Sequence, residues 1–345
     1  MYLFHNDYNE ICHPAVMERL QSLCGTSMPG YGMDDCCAAA AEKIRKLCGS
    51  EDATVHFLVG GTQTNLTVIA AALRPYQGVL GAQTAHVNVH ETGAIEATGH
   101  KVIALPSGDG KVTASQVEQT VLTHRADPDA EHTVQPKLVY ISDSTEVGTV
   151  YTLAELEALS AVCKKYGLYL FVDGARLSYA LAANGGDVTL TDLARLCDVF
   201  YIGGTKCGTM FGEAVVITHP EIDRDFRYMI KQRGGMLAKG WLLGAQFDAI
   251  LENDLYFSVA AKANAQADRI RATLSTLGYA LQVPGNTNQI FPILPNALLD
   301  KLAPDFTFVR MDRVDANHTV VRFCTSWATS EEAVDALCDA LTKNS

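Results

Sequence analysis

Seven short runs of β-branched and aliphatic residues, each followed by a stretch with helical spacing, constrain this chain more than any other feature. The runs are Thr54–Val59, Gly78–Gly81, Lys101–Leu105, Lys137–Ser142, Leu168–Val172, Val199–Ile202 and Ala214–Thr218. They are too apolar to leave one face in water, which is the pattern of strands covered on both sides. The helices between them have readable starts. In Thr113-x-x-Gln116 and Thr152-x-x-Glu155 a hydroxyl and the side chain three residues on are spaced to satisfy free N–H groups. The Ala-rich segment Asp35–Cys48 closes at Gly49, a natural left-handed stop. The alternation predicts an α/β fold on a mainly parallel seven-stranded sheet, with helices on both faces.

After about Gly240 the texture changes. A long helical stretch from Trp241 to Leu277, broken near Asn253-Asp254, leads into short strands at Tyr279–Val283, Gln289–Ile293, Phe306–Asp312 and Thr319–Cys324. A last helix starts from Thr329, again with a Thr-x-x-Glu332 spacing. The expected division is an N-terminal arm and large α/β domain over 1–245, then a smaller α+β domain over 246–345. No repeat, low-complexity segment or linker separates the two.

Charge narrows the partners. Lys+Arg total 27 against 39 Asp+Glu, a formal net charge of −12. Such a surface repels phosphate backbones and anionic lipid, so neither nucleic acid nor a membrane is an expected partner. An anionic ligand has to be held by a local cluster of donors working against the global field. The start Met1-Tyr-Leu-Phe-His-Asn-Asp lacks the basic and apolar regions of a secretory signal, and apolar stretches such as Val68 to Leu73 are too short to span a bilayer. The 10 cysteines include no C-x-x-C pair, and Cys163 and Cys338 fall on apolar helical faces. They read as reduced, mostly buried thiols of a cytoplasmic protein, with Cys207 the one expected near a site.

In a parallel α/β sheet ligands sit outside the carboxyl ends of the strands, and four loops there hold unusual residues. Gly60-Gly61-Thr62-Gln63-Thr64-Asn65 joins a strand to a helix; it is either a phosphate cradle or an ordinary strand–turn–helix connection. Asp173, ending a buried strand before Gly174-Ala175-Arg176, needs a partner, either a cation inside a site or Arg176 itself. Lys206 stands in the glycine-rich loop Gly203-Gly204-Thr205-Lys206-Cys207-Gly208, as a surface charge or as an amine activated by burial. His86 and His90 lie four apart, a metal-ligand spacing. No third ligand is marked and H-E-x-x-H is absent, so no metal is expected, and a His facing a cofactor ring or a core His are the readings that stay. A phosphate cradle, a ring to stack, a carboxylate for a ring nitrogen and an amine are together what pyridoxal 5'-phosphate requires.

Over essentially its whole length the sequence resembles the pyridoxal-phosphate-dependent threonine aldolases of the β-eliminating lyase group, which have the aspartate aminotransferase-like (type I) fold. The resemblance is carried by Asn6-Asp7, Tyr31-Gly32-Met33-Asp34, Gly60-Gly61-Thr62-Gln63-Thr64-Asn65, Ala85-His86 with Glu91-x-Gly93, Asp173-Gly174-Ala175-Arg176, Thr205-Lys206 and Val321-Arg322-Phe323-Cys324-Thr325. It implies that Lys206 forms the Schiff base with the cofactor and that Asp173 keeps the ring nitrogen protonated. Gly60, Gly61, Thr62, Thr205 and Arg176 are then further cofactor contacts. His86 stacks on the ring, and His86 or His132 is the base. Asn6, Tyr31, Arg176 and Arg322 bind substrate. The sequence departs from the family at Gly234-Gly235-Met236-Leu237-Ala238-Lys239, where an Arg is usual and Lys239 or Arg233 substitutes. It departs again at Asp143-Ser144-Thr145-Glu146, where one subgroup has Asn-Thr-His.

The implied reaction is cleavage of L-threonine or L-allo-threonine, β-hydroxy-α-amino acids, to glycine and an aldehyde. The alternative is a β-eliminating lyase acting on a β-substituted amino acid and releasing pyruvate and ammonia. Because the Tyr31 turn reaches a neighbouring subunit's site in the family, a homodimer at least, and a tetramer of two such dimers, is the expected assembly.

Overall fold

The structure, a computed structural model, describes residues 1–345. A two-residue strand β1 (Tyr2–Leu3) opens the chain. Seven strands then build the main sheet: β2 (Thr54–Leu58), β3 (Gln77–Ala82), β4 (Val102–Leu105), β5 (Gln135–Ser142), β6 (Tyr169–Asp173), β7 (Val199–Gly203) and β8 (Glu213–Ile217). Their order is β2-β8-β7-β6-β5-β3-β4. β8 runs antiparallel to both neighbours, and every other pairing is parallel. All seven expected runs are therefore strands, and β3, β7 and β8 are buried at every residue, as two-sided cover requires.

One consequence of this order positions the site. β3 to β7 all end at one edge of the sheet. β2, parallel to β7 across β8, ends there too, and β8 begins there. All seven strands thus bring a terminus to one edge.

The expected helix signals are present. Thr113 and Thr152 each accept from the N–H three residues on, while Gln116 and Glu155 reach back. Gly49 closes its helix at φ 58°. The long C-terminal stretch divides into helices Trp241–Ile250 and Leu255–Thr276, and the break is made by Asn253 and Asp254, both left-handed at φ 51° and 58°.

The C-terminal strands differ from expectation in instructive ways. Tyr279–Val283 forms only an isolated bridge from Leu281 to Pro292, because the proline opposite has no N–H to extend a ladder. Phe306–Asp312 is two strands, β11 (Phe306–Thr307) and β12 (Val309–Arg313), after β9 (Gln289–Ile290) and β10 (Ile293–Pro295). β11 pairs with β1, whereas β12 and β10 flank β13 (His318–Cys324). A change of partner within one run leaves no mark on hydrophobic spacing. The last helix, Glu331–Asn344, is capped by Ser330 and not Thr329, whose hydroxyl instead accepts from the Ser326 N–H at 2.8 Å.

Two large apolar cores result, beside a small cluster of Leu23, Cys36 and Ala245. One surrounds the main sheet, and the other joins Phe4 from the N-terminal arm to Ile270, Leu294, Phe323 and Leu337. No helix is long and apolar enough to cross a membrane.

Candidate active site

β2 runs into helix Gly61–Ala72 through Gly60, which caps the helix with extended backbone and no side-chain bond. The first N–H groups of that helix lack a side-chain acceptor, and the Thr64 hydroxyl behind them is buried without a partner. A Cβ at Gly60 would meet open space, whereas one at Gly61 would lie 3.1 Å from the Tyr201 hydroxyl. An uncapped helix start, an unused buried hydroxyl and free room fit a phosphate group. Gln63 ties this helix to Arg233 by donating to its carbonyl at 3.1 Å.

Asp173 ends β6 and is buried. Its Oδ2 accepts from the Tyr140 hydroxyl and from Asn65 Nδ2 at 3.0 Å. Its Oδ1 accepts from the Tyr201 hydroxyl and from the Ala175 N–H at 3.0 Å. Burial alone would raise this carboxyl, but the tyrosine hydroxyls, the Ala175 N–H and the nearby His86 hold it below its ordinary range. The four donors use both oxygens, so a ring nitrogen has to share one with them. Of the two partners expected for Asp173, Arg176 is not one: it is paired with Asp7, and within the chain the Asp173 charge is held by hydroxyls, an amide and a backbone N–H.

His86 opens a short helix after β3, and its Nδ1 lies 2.8 Å from Glu91 Oε1. The same Glu91 oxygen accepts from Asn65 Nδ2 at 2.7 Å, so Asn65 links the His86 partner to Asp173. Burial pulls the imidazole down, yet the Glu91 bond and the charges of Glu146, Asp173 and Glu91 raise it overall. His90 lies against His86, with ring centroids 5.6 Å apart.

Lys206 follows β7 and is half-buried; its backbone carbonyl accepts from the Tyr179 hydroxyl at 2.7 Å. The loop is packed tightly. A Cβ at Gly203 would lie 2.5 Å from the Gly174 carbonyl, and one at Gly204 would lie 2.7 Å from that of Gly212. The adjacent Cys207 is buried, and its thiol is pushed up to about 12 by that burial. All ten cysteines are unpaired.

The N-terminal arm closes the other side. Arg176 Nε and Nη2 reach Asp7 at 2.8 and 3.0 Å, and Asn288 donates to the same carboxylate at 2.9 Å. Arg322 Nη2 donates to the His5 carbonyl at 2.8 Å, and its Nε is buried without a partner. Asn6 lies between these contacts, with its Oδ1 accepting from the Tyr8 N–H at 3.0 Å. Two guanidiniums thus meet the His5–Asp7 segment, Arg176 paired with the Asp7 carboxylate and Arg322 without a carboxylate partner.

Several expected site residues lie elsewhere. His132 ends an exposed 3-10 turn before β5, at the opposite edge of the sheet. The eight residues of β5 separate it from the site by roughly 25 Å, at about 3.3 Å per residue. The Thr205 hydroxyl donates to Glu213 at 2.9 Å and accepts from the Gly212 N–H at 3.1 Å, so its one proton is not free for a phosphate. Lys239 is exposed beside the Tyr31 turn, where the Tyr31 N–H donates to the Ala238 carbonyl at 3.2 Å. Arg233, not Lys239, is the residue tied to the cradle helix within this chain. Tyr31 itself is half exposed, stacked under Lys231 Nζ at 5.1 Å, and is not joined to Lys206. Residues that sequence reasoning left out are Tyr140, Tyr201, Glu213 and Asn288. Asn65, Glu91 and Asp7 stood inside its motifs without a role.

The chain is 32% identical over 339 residues to a low specificity L-threonine aldolase of Pseudomonas sp. (strain NCIMB 10558), covering 96% of this chain and 94% of the relative. A solved structure of Leishmania major threonine aldolase superposes with a TM-score of 0.97 at 46% identity, covering 99% of each chain. A Thermus thermophilus aspartate aminotransferase superposes with a TM-score of 0.72 at 17% identity, over 99% of this chain and 96% of that one, a likeness of fold alone. The model of the beta-eliminating lyase family matches residues 14–296, and the protein belongs to that family.

Proposed function

We propose that this protein is a pyridoxal 5'-phosphate-dependent carbon–carbon lyase that cleaves L-threonine and L-allo-threonine to glycine and acetaldehyde. The observation that carries the reading is the convergence of Lys206, Asp173 and the Gly60–Thr64 cradle on one sheet edge, in a chain whose full-length relatives are threonine aldolases.

The N–H groups at Gly60, Gly61 and Thr62 and the Thr64 hydroxyl hold the phosphate. Lys206 Nζ holds the aldehyde carbon. Asp173, ionised by its four donors, keeps a proton on the ring nitrogen. When bound, the cofactor supplies an electron sink for the pair released from Cα–Cβ. Arg322 and Arg176 fix the substrate carboxylate, and a planar contact of this kind limits rotation about N–Cα, which sets the bond that breaks. Glu91 fixes His86 at Nδ1, leaving Nε2 to accept the β-hydroxyl proton as the aldehyde leaves. Arg233, whose carbonyl accepts from Gln63 of the cradle helix and whose Nε is buried without a partner, is the candidate for the role of the family's phosphate-side Arg.

The half-exposed Tyr31 and the exposed Met33 and Tyr228 support a surface for a second copy, so the expected assembly is a homodimer at least, with Tyr31 serving the neighbour's site. Ten unpaired cysteines support a reducing, cytoplasmic setting.

The test is product identity. Cofactor-loaded protein given L-threonine should release acetaldehyde, read by a coupled alcohol dehydrogenase. Pyruvate from a β-substituted amino acid, read by lactate dehydrogenase, would favour elimination. Absence of aldehyde from every β-hydroxy amino acid tried would overturn the reading. Lys206→Ala should abolish turnover and the visible absorbance together.

A further inference from the structure

Asn65 lies four residues after Gly61 in the cradle helix, on the same face one turn further on. It is fully buried. Its Nδ2 donates to Glu91 Oε1 at 2.7 Å and to Asp173 Oδ2 at 3.0 Å, so both amide protons are used. The same Glu91 oxygen meets His86 Nδ1 at 2.8 Å, and the other Glu91 oxygen is buried without a partner. Glu91 makes no ion pair besides that with His86. A continuous path of contacts therefore runs from the imidazole through Glu91 and Asn65 to Asp173.

We propose that Asn65 is a positioning residue that ties His86 to Asp173: one proton of its amide holds Glu91 against the imidazole, and the other holds the Asp173 carboxylate. Two buried carboxylates facing one group would ordinarily call for a cation. A cation here would neutralise Asp173 and leave it no charge for a ring nitrogen, whereas an amide donates twice and carries no charge. The helix adds to this. The start that fits a phosphate carries Asn65 one turn on, so the cradle, the Asp173 carboxylate and the orienting partner of His86 are all tied to one rigid element. Glu146 and Asp173 also bear on His86 by charge, and the His90 ring lies 5.6 Å away, but Glu91 is the group bonded to it. Without Asn65, Glu91 would keep a single donor in a buried place. A carboxylate left so takes up a proton or turns toward water, and either change removes its charge from the imidazole.

The inference rests on the reading that His86 and Asp173 flank the cofactor ring, but its first measurement is made on full-length protein freed of cofactor. There the His86 ring is titrated by proton NMR. In Asn65→Leu its midpoint should fall by at least about half a pH unit. Because Asn65 acts through Glu91, the double variant Asn65→Leu with Glu91→Gln should titrate as Glu91→Gln does alone. At the other end Asp173 loses one of its donors, so pyridoxal 5'-phosphate should bind Asn65→Leu about tenfold more weakly, read by equilibrium dialysis. Asn65→Ser, with one proton to give, serves where the leucine variant does not fold; it should lose the His86 shift, the cofactor affinity or both. An unchanged or raised His86 midpoint in Asn65→Leu means that Glu91 keeps its place unaided, and it overturns the proposal. Additive effects in the double variant, an unchanged cofactor affinity in Asn65→Leu, or a serine variant that keeps both properties overturn it equally. Each of these outcomes holds whether or not threonine is cleaved.

Discussion

Asp7 and Arg176 form a buried bidentate pair, with Nε and Nη2 of the guanidinium on separate oxygens of the carboxylate at 2.8 and 3.0 Å. The pair joins the N-terminal arm to the loop after β6 and orients the guanidinium, leaving Nη1 unused by Asp7. Burial opposes the charge on Asp7, but Arg176, Lys206 and Asn288 hold its carboxyl down to about 2. Its ordinary value is about 3.9, so this contribution to stability is complete above about pH 4 and is lost as pH falls toward 2. Asp7→Asn leaves Arg176 charged and unpaired. It should cost about 3–5 kcal/mol in urea unfolding at neutral pH, with a weaker pH dependence below about pH 4 than the unsubstituted protein.

Tyr140 and Tyr201 reach Asp173 from adjacent strands on either side of β6, and they are its hydroxyl donors. Tyr201→Phe removes one bond to a charged group, worth about 1.5–3 kcal/mol. The Asp173 carboxyl should rise, and kcat for threonine should fall by about ten- to hundredfold with a smaller change in KM. The acid limb of the kcat profile should move to higher pH. A profile that keeps its position would assign Tyr201 to packing alone.

Glu91 raises His86 through the 2.8 Å contact at Nδ1. Glu91→Gln removes that charge, so the imidazole should titrate at lower pH, followed by proton NMR of its ring. If neutral His86 takes the hydroxyl proton, the acid limb of kcat/KM should move to lower pH in the same variant. For stability the sign is opposite to that of Asp7. A raised histidine contributes fully below about 6.5, and the contribution is lost as pH rises through its folded value.

The sheet was legible because two-sided burial makes each strand an apolar run, and the loops Gly60–Asn65, Asp173–Arg176 and Gly203–Gly208 were legible because each follows such a run. Glu213 was not, because it starts a strand. Only the antiparallel course of β8 brings a strand start to the edge where ligands are sought. Tyr140 and Tyr201 read as core residues of their strands, and their hydroxyl partners become visible only once β5, β6 and β7 are placed side by side. Asp7 and Asn288 lie 281 positions apart, and no local spacing relates them. Thr205 and Lys239 were assigned from the family resemblance, whereas the Thr205 hydroxyl is bonded to Glu213 and Lys239 is exposed next to Ala238, whose carbonyl accepts from the Tyr31 N–H.

His132 gives the clearest contrast between nearness in sequence and nearness in space. It lies three residues before β5, and in a parallel sheet the start of a strand is the edge away from the catalytic loops. The residues that leave β5 at the correct edge are Asp143 to Glu146, and the charge of Glu146 bears on both His86 and Arg176. His132→Ala should therefore leave kcat and KM for threonine within about twofold, since exposed substitutions far from a site change little. His86→Ala should lower kcat/KM by about a hundredfold or more, the usual weight of a positioned proton acceptor. Both variants should keep the circular dichroism of the unsubstituted protein. A loss of activity in His132→Ala comparable to that in His86→Ala would mean that His132 acts on a site other than the one at its own sheet's carboxyl edge, such as that of a neighbouring copy.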